Sequence, residues 1–248
     1  MANFGGDFMP NPQRCALFSW LLIGSFVATV ALAQQAPAPS GIPATTEGLV
    51  KVPSKRLGAV YLRPGADFRA YTKIMIDPVQ VSFRPGWLKD INDSRGVTGR
   101  VSQQDAQQIA DAMRSGFAKI FADEFKAKGY EVASAPAPDV VRVSAEIANV
   151  YLNAPDPMGG GAGTRTYTVE AGEATLALAA RDSTTGAVLG VAVDRRSTGG
   201  AGHATFTTSS SNRFEFEELF HDWSRACVRG LDELKTRSPL TPKPGGKR

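Results

Sequence analysis

The sequence predicts an α+β fold: a two-layer sandwich in which a mixed sheet of about five strands, ending in an antiparallel meander, carries two long helices on one face. Three observations lead there. Residues 102–129 and 212–234 repeat apolar side chains at spacings of three and four, as amphipathic helices do. Val140 to Leu152 alternates apolar and polar residues, as a half-buried strand does. Val169 to Arg196 is two strand-like runs split by Asp182-Ser183-Thr184-Thr185-Gly186, the composition of a hairpin turn.

In chain order, Arg14 is followed by an apolar run, Cys15 to Ala33, closing in Ala31-Leu32-Ala33. Positive charge, apolar stretch and small residues describe a secretory signal peptide over 1–33, cut after Ala33. Met9 offers an alternative start, and an uncleaved N-terminal membrane anchor is the competing reading. Residues 34–56 are rich in Pro, Ala and small polar residues and read as a disordered tether. The single folded domain is expected over 57–237, followed by a disordered basic tail, 238–248.

Within that domain, Lys73 to Phe83 reads as a strand, with Pro78 placing an edge, a bulge or a strand end. Arg84 to Gly99 reads as a loop holding Trp87, either a plug beneath it or an exposed contact. Ser102 and Asp105 form a capping box for a helix with Ile109, Met113, Phe117, Ile120, Phe121 and Phe125 on one face. Gly129 supplies its left-handed end. A short strand, Tyr130 to Ser134, precedes the long one. There Val141, Val143, Ala145, Ile147, Asn149 and Tyr151 share the expected buried face. In the hairpin, Ala174, Leu176, Leu178 and Ala180 align on the first strand, and Leu189, Val191 and Val193 on the second. Asp182 is expected to fold its carboxylate onto turn amides and Gly186 to close the turn. So much alanine calls for a close cover by larger helical residues. Asn212 and Glu215 suggest a second capping box. It opens a helix carrying Phe216, Leu219, Phe220, Trp223, Cys227, Leu231 and Leu234.

The segments AYTKIMIDPVQVSF, PAPDVVRVSAEIANV, ARDSTTGAVLGVAVDRR and FHDWSRACVRGLDEL resemble an uncharacterised bacterial envelope family, domain-of-unknown-function family 3313, over Leu57 to Leu234. The resemblance implies a periplasmic or outer-membrane-associated protein, often a lipoprotein, without established activity or catalytic residues. This sequence departs from the lipoprotein pattern, since no cysteine stands at the cut.

Composition narrows the function. A hydrophobic fraction of 42% is too high for a wholly disordered chain. The net charge of +4 is spread along the sequence rather than gathered in a stripe, which disfavours nucleic acid as a partner. Of the two cysteines, Cys15 falls in the leader, so Cys227 has no partner for an intramolecular disulfide in a cleaved chain. The glycine runs at Gly159 and Gly199 lack the strand, helix and Lys-Ser/Thr of a phosphate loop. His203 and His221 form no metal-ligand cluster, and no cofactor is expected. Ser209 to Ser211 sits in no nucleophile elbow, and Glu215, Glu217 and Glu218 suit the positive end of a helix. Asp194-Arg195-Arg196 is the most informative polar cluster, either a local ion pair or, with Trp87, a partner-contact patch. The expectation is an exported, non-enzymatic module that contacts unknown envelope proteins, with peripheral membrane association open to it. Alternatives are a periplasmic binder of lipid or glycan, marked by a deep apolar cavity, and a cell-wall hydrolase, marked by converging carboxylates or a Ser/His pair.

Overall fold

A computed structural model describes residues 42–43, 45–93, 100–153, 166–168, 172–198, 205–207 and 209–240. The leader, both glycine runs and His203 lie outside them. No described helix is long and apolar enough to cross a membrane.

The fold is the α+β class expected from the sequence, with more strands. The elements are β1 (Val50–Val52), β2 (Ala59–Leu62), β3 (Lys73–Ile76), β4 (Gln80–Phe83), α1 (Trp87–Asp93), α2 (Gln103–Ala127), β5 (Glu131–Val132) and β6 (Val140–Leu152). They continue with β7 (Thr166–Thr168), β8 (Gly172–Asp182), β9 (Val188–Thr198), β10 (Thr205–Thr207) and α3 (Ser209–Arg237). An eight-stranded sheet runs β1-β2-β9-β8-β6-β3-β5, with β4 also paired to β6, rather than the five strands expected. The added strands are short. β1 lies inside the stretch read as tether, β2 joins the sheet through β9, and β4 exists because Pro78 divides the 73–83 run in two. At the other end, Leu240 exchanges backbone hydrogen bonds with Gly65 and Ala66, so the fold extends past 237 into the segment read as tail. The meander is as expected: β6, β8 and β9 pair antiparallel, while β3 runs parallel to β6. Separately, β7 and β10 form a two-stranded ladder from segments read as loop or strand margin.

Local chemistry explains each boundary. Ser102 Oγ accepts from the Asp105 N–H, and the Asp105 carboxylate accepts from the Ser102 N–H, closing the capping box that opens α2. At the far end Gly129 takes φ 87°. Its N–H reaches the Lys126 carbonyl and the Tyr130 N–H reaches the Phe125 carbonyl, a Schellman closure. The Tyr130 and Phe125 rings meet at 5.4 Å to complete it. Tyr130 also donates its hydroxyl to Asp232 at 2.6 Å, tying the end of α2 to α3. The two helices meet through Phe117 and Phe220, edge to face at 5.4 Å. α3 begins at Ser209, three residues before the Asn212 expected to cap it.

Inward-facing assignments are corrected in two strands. In β6, Asn149 adopts φ 53° at a bulge, a conformation asparagine tolerates better than most residues. The alternation shifts there, so Val150 and Leu152 enter the core while Tyr151 faces out beneath the Arg84 guanidinium, 3.7 Å from its ring centre. In β9, the residues paired with inward Leu178 and Leu176 are Ala192 and Asp194, so Val191 and Val193 share the other face, Val191 buried there and Val193 36% exposed. A bulge opposite Ala180 and Arg181 sets that register.

The 84–99 segment is not all loop. Trp87 and Ile91, one helical turn apart, are buried beneath the short α1. Trp87 stacks on Phe83 and donates its indole N–H to the Leu152 carbonyl at 3.0 Å. At 1% exposure it is a buried plug rather than an exposed side chain.

Candidate functional site

The alanines of the hairpin face α3 in two different ways. Toward one end the approach is close. A Cβ on Gly172 would collide with the Tyr151 carbonyl oxygen and stand 2.9 Å from the Phe216 ring, so glycine is required both by the neighbouring strand and by the ring that settles on it. Phe216, Leu219, Phe220 and Trp223 are all buried along this half of the helix. Toward the other end both surfaces are small. The sheet offers Ala180, Gly190 and Ala192, and the helix offers Ala226, Cys227 and Gly230. A Cβ built on Gly230 would meet nothing within 4 Å.

What remains between them is a cavity of about 1040 Å³. Val141, Val143 and Leu178 continue its sheet wall, Phe121 and Phe125 of α2 reach it, and Leu231 and Leu234 extend its helical wall. This is at the upper end of the volumes that hold small ligands. The alanine-rich face is therefore a helix seat over half its length and a cavity wall over the rest, which corrects the expectation of a close cover throughout.

The remaining wall is a strap formed by β1 and residues 53–57, which line the cavity from Val50 to Leu57. Asp194 fastens it. The carboxylate is 8% exposed. Its Oδ1 accepts from the Gly58 N–H at 2.8 Å, and its Oδ2 from Arg196 Nε at 2.7 Å and Trp223 Nε1 at 2.9 Å. Arg196 in turn donates through Nη2 to the Arg56 carbonyl at 2.8 Å. The Arg56 guanidinium then reaches Glu233 on α3 at 2.6 Å. One buried carboxylate thus joins strap, sheet and helix at a corner of the cavity.

The sequence cluster divides accordingly. Asp194 and Arg196 do form an ion pair, part of this junction. Arg195 points the other way and pairs with Glu173 across the β8–β9 ladder at 2.7 Å, holding that carboxylate below its ordinary range through the hydrogen bond. Trp223 and Gly58 complete the junction, and sequence inspection missed both as polar partners; the capping and apolar patterns around them carry no sign of it.

Cys227 borders the cavity. Burial pushes its thiol up to about 12, with the Asp194 charge adding to the shift, so it stays neutral as an apolar wall element. His221 Nδ1 lies 2.8 Å from Glu124 Oε1, a link between α2 and α3 away from the cavity lining. Among the described residues no group of three or more His, Cys, Asp or Glu is placed to hold a metal.

The PelC dodecamer from Paraburkholderia phytofirmans is similar in structure, at 12% identity over 66% of this chain and 95% of that one, with a TM-score of 0.33. Protein XCC0632 from Xanthomonas campestris, assigned to the DUF330 family model, is similar at 10% identity over 71% of this chain and 91% of that one, with a TM-score of 0.34. No curated protein matches the chain. The family model described as "Protein of unknown function (DUF3313)" matches residues 38–227, and the chain belongs to that family.

Proposed function

We propose that this is an exported, non-enzymatic binding protein of the cell envelope that carries an apolar ligand between its sheet and the second half of α3. The cavity is the observation that carries this reading. The pocket is partly open to solvent along the strap, so a ligand has a way in. Here small residues on both surfaces keep open a space large enough for a ligand. Export rests on the leader, with its apolar run and Ala31-Leu32-Ala33 close. The polar side chains at the cavity are mostly cations, and its carboxylate, Glu233, is already paired with Arg56, an arrangement suited to holding a ligand rather than transforming one.

The test is the uptake of a neutral apolar fluorophore, N-phenyl-1-naphthylamine, by the purified chain. Saturable binding is expected, with loss of affinity of at least tenfold in Ala226→Phe, whose ring would take the ligand's place. Saturable binding that is unchanged in that variant would put the site elsewhere.

A second reading, contact with envelope proteins, is favoured by the opposite face of the sheet. Val193 stands exposed there, paired with Ala59 on one side and Ala177 on the other. Crosslinking from intact envelopes at position 193 is the corresponding test, and repeated recovery of no specific partner would count against it.

A further inference from the structure

The charges around the cavity are one-sided. Lys51, Lys55, Arg56, Arg63 and Arg237 line it, against the single carboxylate of Glu233. Two of the five cations are engaged, Arg56 with Glu233 and Arg63 with the Val188 carbonyl. The side chains of Lys51, Lys55 and Arg237 have no hydrogen-bond or ion-pair partner among the described residues, and all three residues are exposed. They come from distant parts of the chain, two from the strap and one from the end of α3. The deeper walls are apolar: Phe121, Phe125, Val143, Leu178 and Leu231.

An apolar interior with an unpaired cationic rim matches one class of molecule. We infer that the cavity takes an anionic amphiphile, its hydrocarbon body against Phe121, Phe125 and Leu178 and its charged headgroup among Lys51, Lys55 and Arg237. The inference deepens the proposed binding function and rests on it. Burying hydrocarbon supplies affinity roughly in proportion to the apolar area removed from water. The rim supplies selection: an anion gains from three cations that have no other partner, while a cationic headgroup is repelled by them. These charges are exposed, so the selection weakens as salt screens them. Lysines on flexible stems also suit headgroups of differing shape, whereas a fixed fork of arginines would demand one geometry.

The experiment displaces N-phenyl-1-naphthylamine from the full chain with three amphiphiles of equal chain length, each below its micellar concentration. These are hexadecanoate, hexadecanol and hexadecyltrimethylammonium. Hexadecanoate is expected to displace the fluorophore at a concentration roughly tenfold below the alcohol, and further below the cation, with the gap narrowing in high salt. In the triple variant Lys51→Gln, Lys55→Gln, Arg237→Gln the three should converge while fluorophore affinity is retained. That retention also shows that the variant is folded. Equal displacement by all three in the wild-type chain, or a preference that survives the triple variant, overturns the headgroup assignment and leaves the cavity as an apolar site. Failure of the fluorophore to bind overturns both proposals. If that protein sediments as a dimer, the cavity belongs instead to a second copy of the chain.

Discussion

Asp194 shows how much a single side chain can hold. Its two oxygens serve three donors from three elements, Gly58 beside the strap, Arg196 on β9 and Trp223 on α3. A buried carboxylate is tolerated only when its lone pairs are occupied and an opposite charge is near, and both conditions are met here. Replacement by alanine leaves an indole N–H and a backbone N–H without an acceptor and the Arg196 guanidinium without its nearest anion. Asp194→Ala should therefore cost about 3 kcal/mol in urea unfolding. Asp194→Asn retains one acceptor oxygen and should cost about half as much. Equal losses for the two variants would mean that charge, not the hydrogen-bond geometry, fastens the strap. In the sequence, Asp194-Arg195-Arg196 was visible as a polar cluster at a strand end, and the ion pair could be anticipated from proximity. The partners that give it meaning lie 136 and 29 residues away, and no local pattern announces a contact of that kind.

Elements were legible in proportion to their length and periodicity. The two long helices and the meander could be read because each repeats its pattern over several turns or pairs of residues. β1, β2 and β4 have three or four residues each, too few for a period to show, and they exist because longer neighbours offer them a ladder. Bulges were invisible for a related reason: one inserted residue reverses the facing of everything beyond it, as at Asn149. The β8–β9 turn, by contrast, could be read from its residues, both the Asp182 carboxylate on the turn amides and the Gly186 closure. Asp182 Oδ1 accepts from the Thr184 and Thr185 amides and from both hydroxyls, and Gly186 closes the turn at φ 70°. Oδ2 accepts from the Tyr71 hydroxyl at 2.8 Å, anchoring the turn beside β3. The Thr184 hydroxyl, followed by the Thr185 amide, holds this carboxyl well below the usual carboxylate range. A depressed folded-state value means that the stabilisation is complete above the unfolded value of about 3.9 and is lost as pH falls below it. Asp182→Ala should cost about 0.5–1 kcal/mol near neutral pH, the lower half of the range for a capping carboxylate because solvent screens this turn. Acid titration of the two proteins checks the sign: the gap between their unfolding midpoints should narrow below about pH 4. A gap constant down to pH 2 would contradict this assignment.

At the scale of the whole molecule, the cavity is a property of no single element. α3 is amphipathic throughout and the hairpin alternates throughout, so each looks like half of a well-packed layer. The opening appears only where the small stretch of one meets the small stretch of the other, at Ala226, Cys227 and Gly230 against Ala180, Gly190 and Ala192. Reading the alanines as a seat for large residues was correct from Phe216 to Trp223 and failed at Ala226 to Gly230, about three to four helical turns beyond Phe216, because the register between helix and sheet is set by tertiary packing. Gly230 provides the sharpest test of whether the opening serves a purpose. It sits inside a helix of 29 residues, where glycine is less favourable than alanine by about 1 kcal/mol, and no neighbour within 4 Å demands its lack of a side chain. Gly230→Leu removes that penalty and places an isobutyl group in the open space the cavity leaves beside it. The variant should unfold at higher urea, by about 1–2 kcal/mol in the empty protein. It should bind N-phenyl-1-naphthylamine at least tenfold more weakly than wild type. Stability gained and binding lost in the same substitution is the signature of a site kept open against the preference of its own helix. A gain in stability with binding intact would leave Gly230 as a helix defect unconnected with the cavity. A loss of stability would mean that the second half of α3 packs more closely on the sheet in solution than the open space beside Gly230 implies.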